Sequence, residues 1–94
     1  MPFARVVSFD GVTRDRIQEM NSEMQESGPP EGLPAKEIIV LHDPDADKSQ
    51  VILFFEDEDA YRRGDEILNA MPAADTPGQR TNVTRYEVAM RMKP

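Results

Sequence analysis

The chain contains no cysteine and no tryptophan, and its one histidine is His42. Without thiols there is no disulfide, no thiolate nucleophile and no Cys-based zinc site, although the redox compartment stays open. A single imidazole with no partner at ligand spacing makes no recognisable zinc or iron site either, so neither metal nor cofactor is expected. Lys/Arg clusters are also missing. With a formal net charge of −7 and a pI near 4.6, the protein's field repels phosphate, which excludes nucleic acid and anionic membrane surfaces as natural partners. No segment approaches the ~20 apolar residues of a membrane span. The start, Met1-Pro2-Phe3-Ala4-Arg5, lacks the basic and apolar regions of a signal peptide, so a cytoplasmic location is expected.

What is present is a set of short, dense apolar blocks within 94 residues, enough for one modest core and one domain, 1–94. Phe3 to Phe9 reads as a strand closed by Asp10-Gly11. Thr13 can cap a helix with apolar positions Ile17, Met20 and Met24, and Gly28-Pro29-Pro30 stops it. Gly28 to Pro34 is a loop. Ile38–Leu41 and Val51–Phe55, apolar on both parities, read as two strands of a long-looped antiparallel hairpin. Asp57 can cap a second helix with a stripe of Tyr61, Gly64, Ile67, Leu68 and Met71, ended by Pro72. Pro72 to Asn82 reads as loop, and Val83 to Met92 alternates as a fourth strand.

The order βαββαβ predicts an α+β, ferredoxin-like fold, with two helices on one face of a four-stranded antiparallel sheet. The other face would then expose the apolar side of the hairpin strands, more than soluble monomers usually tolerate. No element remains to cover it, which predicts a homodimer packed sheet to sheet about a two-fold axis.

Three side chains are candidates for chemistry. His42 suits proton transfer near neutral pH, and Asp43 beside it could orient the ring; a lone His at a strand end is more often a surface or capping residue. Tyr61 lies on the helix-two stripe, where its ring can pack on the sheet while its hydroxyl reaches a cleft. Arg5 shares strand parity with Val7 and Phe9, so its guanidinium enters apolar space and needs a carboxylate from the protein, a partner subunit or a ligand.

Other patterns have plainer explanations. Asp43, Asp45 and Asp47 imitate the start of a calcium loop, but Lys48 stands where that loop needs glycine and Phe54 where it needs a carboxylate. Glu56-Asp57-Glu58-Asp59 sits where acidic groups favour a helix N-terminus. Gly64 inside a helix implies close approach of the backbone to the sheet, the first helix or a ligand. Met20, Met24, Met71, Met90 and Met92 are read as adaptable core fillers.

The blocks Phe9-Asp10-Gly11-Val12-Thr13 and Phe54-Phe55-Glu56-Asp57 leading to Asp59-Ala60-Tyr61, together with the element order, resemble the dimeric α+β barrel superfamily over nearly the whole chain. That group includes antibiotic-biosynthesis-monooxygenase-like and stress-responsive barrel proteins. Leu41-His42-Asp43-Pro44, Tyr61-Arg62-Arg63-Gly64-Asp65 and Asp75-Thr76-Pro77-Gly78 look like blocks of small bacterial proteins of the same superfamily. The resemblance implies a homodimer with a cleft between sheet and helices. Haem degradation in this group relies on Asn, Trp and His; here there is no Trp, no Asn in strand one, and His42 ends strand two. Two readings follow: a small apolar ligand bound in the cleft or an accessory dimer, or a cofactor-independent monooxygenase or isomerase on an aromatic or polyketide-like substrate. A third is a subunit of a larger assembly, its acidic surface meeting a basic partner. A pocket of several hundred Å³ lined by two of His42, Tyr61 and Arg5 would favour the enzyme.

Overall fold

The computed structural model describes residues 2–72 and 75–94. Strands β1 (Phe3–Asp10), β2 (Ala35–Asp43), β3 (Lys48–Phe55) and β4 (Gln79–Glu87) alternate with helices α1 (Arg14–Ser27) and α2 (Glu58–Asn69) in the order βαββαβ. The sheet runs β2-β3-β1-β4 with every pair antiparallel, the ferredoxin-like arrangement.

Strand parity separates two faces. Phe3, Arg5, Val7 and Phe9 stand opposite Phe55, Leu53, Val51 and Ser49, and this face carries the core. One cluster joins Phe3, Leu53 and Phe55 to Ala60 and Tyr61 of α2; another joins Val7 and Phe9 to Val12 at the head of α1. The opposite face, set by the pairs Ala4–Phe54, Val6–Ile52 and Ile39–Ile52, has no helix on it. There Ile39, Leu41 and Tyr86 remain 37%, 50% and 55% exposed. The sequence anticipates this uncovered apolar face.

Local chemistry fixes the element ends. Thr13 Oγ1 accepts from Arg16 N at 3.2 Å, and Gly28, at φ 74°, closes α1 with its N–H on Met24 O. Asp57 Oδ1 accepts from Ala60 N at 2.8 Å. The β2–β3 connection is shorter than expected, only residues 44–47, because Asp43 Oδ1 accepts from the backbone N–H groups of Asp45 and Ala46 and folds the chain sharply. The aspartates that imitate a calcium loop thus build a turn.

Strand β4 departs from expectation. It begins at Gln79, inside the segment read as loop, and ends at Glu87 instead of Met92. The register explains this: Glu87 faces Phe3, and one further bond, from Val88 N to Pro2 O at 3.0 Å, exhausts β1. Beyond it the tail leaves the ladder. Arg91 there stacks on the open-face ring of Phe54, 4.6 Å from its centroid, and pairs with Glu37. Met90 and Met92 are 77% and 71% exposed, so they are not core fillers.

Gly64 shows what α2 demands of the sheet. A Cβ there would lie 2.6 Å from Phe55 Cζ, inside contact distance of a fully buried ring. Close helix–sheet approach is the reason for glycine. Gly64→Ala is expected to lower stability by about 1–3 kcal/mol through overpacking, despite alanine's better helix propensity. Urea denaturation of the variant measures this, and an unchanged or higher midpoint would contradict the packing account.

Candidate functional site

The two helices attach differently to the sheet. Helix α2 buries Ala60, Tyr61 and Gly64, whereas α1 buries none of its residues and leaves Ile17 and Met20 half-buried and Met24 at 36% exposure. Between α1 and the sheet lies an open cavity of about 620 Å³. Val7, Phe9, Val51 and Leu53 form its floor, Leu68 and Met71 one wall, Met20 and Met24 the roof. The Gly28–Leu33 connection and the loop at Asp75–Pro77 close its ends. Arg16 holds the roof over this second loop by donating Nη2 to Thr76 O at 3.1 Å. Gly78 seats the loop: a Cβ there would lie 2.9 Å from Val12 Cγ2 and closer still to Asp10 O.

Arg5 is the polar exception in the floor. Its side chain is 3% exposed, with Nε donating to Asp65 Oδ1 at 2.8 Å and Nη2 to Asn69 Oδ1 at 3.0 Å. The carboxylate that the sequence demands for Arg5 therefore comes from the same chain. Asn69 Nδ2 in turn donates to Asp65 Oδ2 at 3.2 Å, and Arg80 Nη1 donates to Asn69 Oδ1 at 2.8 Å. Four side chains from β1, α2 and β4 form one network at the cavity's edge.

The other two candidates lie elsewhere. Tyr61 is 7% exposed, with edge-to-face contacts to Phe3 and Phe55 at centroid distances of 6.3 and 5.4 Å. Its pKa is raised above 10.0, mainly by burial and further by the Asp65 carboxylate. His42 places Nε2 2.9 Å from Val12 O, which requires the tautomer with the proton on Nε2, and the hairpin reinforces this where Val12 N donates to Asp47 O at 2.7 Å. No hydrogen bond joins Asp43 to the ring among the described residues. Of the three candidates, Arg5 lines the cavity, and His42 and Tyr61 do not.

The acidic run at the head of α2 is occupied locally: Asp57 caps, Asp59 pairs with Arg62 at 2.7 Å, and Glu58 lies 3.6 Å from Arg85. Among the described residues no group of three or more His, Asp or Glu side chains is placed to hold a metal. No helix is long and apolar enough to cross a membrane.

The sequence reading missed Asp65, Asn69 and Arg80. Tyr61, Asp65 and Asn69 are spaced i, i+4, i+8, so two polar groups continue the buried line of α2, a signal visible beside Arg5's parity. Arg80 carried no such signal, because its segment lacks apolar alternation.

Unfolding frees the Tyr61 phenol to ionise near its ordinary pKa of 10.0, while the folded protein holds the proton longer. Stability from this group is complete below that pH and declines as pH rises through it. Melting temperature should therefore fall more steeply between about pH 9 and 11 in the wild type than in Tyr61→Phe. Parallel pH curves for the two proteins would contradict the assignment. Scanned against family models and curated proteins, the chain matches no family and no curated protein.

Proposed function

We propose that the protein is a homodimeric α+β barrel that binds a small, largely apolar molecule between α1 and the sheet. The carrying observation is the cavity: about 620 Å³, mostly apolar, open to one side, with one deeply placed charged group. These are the dimensions and composition of small-molecule sites, typically about 300–1,000 Å³. An amphipathic helix with no buried residue, whose contact with the core cluster is made by half-buried Ile17 near its start, is a natural roof over a ligand. Two of the residues on which the enzymatic alternative rests, His42 and Tyr61, do not line the cavity and are engaged with Val12 O and in the α2–sheet core.

The dimer reading rests on the uncovered face. Ile39, Leu41 and Tyr86 join half-buried Ile52 and Phe54 in one apolar surface, on which Arg91 of the tail stacks at the Phe54 ring. A second copy packed face to face would remove it from water symmetrically.

Titration with the neutral fluorophore N-phenyl-1-naphthylamine tests the binding reading. Saturable binding at one probe per chain is expected, and Met20→Trp, which fills the roof, should weaken it at least about tenfold. Unsaturable binding, or indifference to Met20→Trp, would overturn the reading. Light scattering should give twice the chain's 10.6 kDa, and Leu41→Glu should give a folded monomer. A wild-type monomer across the dilution series would remove the dimer.

A further inference from the structure

We infer that the cavity's ligand carries an acidic head group, a carboxylate on an apolar body, and that Arg80 and Arg5 read it. The inference rests on the cavity's being a ligand site. In the network at its edge, two guanidinium groups share one neutral amide, Asn69, and only Arg5 also pairs with a carboxylate, Asp65. Within the network the sum is one positive charge without a carboxylate, that of solvent-exposed Arg80 at the rim of an apolar floor, where an added anion would complete the pairing.

The donors are available. Arg5 uses Nε and Nη2, while Nη1 of this almost fully buried side chain has no partner among the described residues. Arg80 commits only Nη1, to Asn69 Oδ1, and no carboxylate lies within ion-pair distance of it among the described residues. Asn69 Oδ1 already accepts from both guanidinium groups, so a single oxygen can stand between them, as one oxygen of a bound carboxylate would.

A backbone irregularity aims Arg80. Asn82 faces Ser8 but Arg80 faces Phe9, so Thr81 is the extra residue of a bulge and places its Oγ1 3.2 Å from Ser8 O. With regular pairing Thr81 would face the cavity and Arg80 the open side of the sheet. The bulge reverses this. Arg85, which faces Arg5 across the strands, is engaged elsewhere, over the rings of Phe3 and Tyr61 and near Glu58. Glu23, Glu31 and Asp75 also line the cavity and are solvent-exposed like Arg80, but none of them lies within ion-pair distance of Arg5 or Arg80 among the described residues. Glu23 also lies 3.8 Å from Arg16.

Calorimetric titration of the full chain with decanoate, decanol and decylammonium, matched in tail and differing in head, separates the possibilities. Decanoate should bind about tenfold or more tightly than decanol, and decylammonium more weakly than either. Arg80→Gln, a surface substitution whose folding is checked by thermal melting, should bring decanoate and decanol to within about twofold of each other, and Arg80→Lys should restore part of the preference. Equal affinities in the wild type, a preference for decylammonium, or a decanoate preference untouched by Arg80→Gln overturns the head-group assignment while the cavity stands as a site for apolar bodies. If none of the three binds, the ligand-cavity reading fails and takes this inference with it.

Discussion

A guanidinium inside the helix-covered face of the sheet is the constraint on which the rest of the arrangement turns. Arg5 occupies one of the two central strands, between Phe3 and Val7, where an unpaired charge would be prohibitive. Asp65 and Asn69, one turn apart on α2, answer it, which fixes the second half of that helix over β1. Gly64 then permits the contact by letting the helix backbone reach the Phe55 ring. The first half of α2 is held by apolar packing around Tyr61 and the second by this polar network, so the helix has little freedom to slide.

Helix α1 has no equivalent anchor. Its first half is tied by the Thr13 cap, the Arg16 bond to the loop at Thr76 and the packing of Ile17 on the Val7–Phe9–Val12 cluster, its end by the Gly28 stop, and Met20 and Met24 between them face the cavity. One helix is thus part of the core and the other a roof over space. This asymmetry gives the cavity a hydrogen-bonded polar edge and an apolar cover, the combination that the proposed ligand, a head group on an apolar body, would use. The uncovered apolar face lies on the opposite side of the sheet from the cavity, so the homodimer proposed for it would leave the cavity unobstructed.

Most of the fold was legible because its determinants are local. Thr13, Gly28 and Asp57 cap as their residue types suggest, and the apolar blocks of β1, β2 and β3 point where parity puts them. The errors lie where a long-range partner decides. The alternation from Val88 to Met92 looks like strand but outruns β1, and the polar run Gln79–Asn82 looks like loop but has β1 to pair with. The site follows the same rule. Arg5's need for a carboxylate was visible from its neighbours, and Asp65 and Asn69 could have been found on the line of Tyr61. Arg80 could not, since only the bulge at Thr81 determines its face.

Arg5, buried and held by Asp65, ties α2 to the sheet, and its Nε–Hε group can be observed directly by ¹⁵N NMR. A resolved Arg5 cross-peak is expected, exchanging with water at least about a hundredfold more slowly than exposed arginines, with that protection lost in Asp65→Ala. An Arg5 Hε that exchanges as fast as the surface arginines, or protection that survives Asp65→Ala, would contradict this tie.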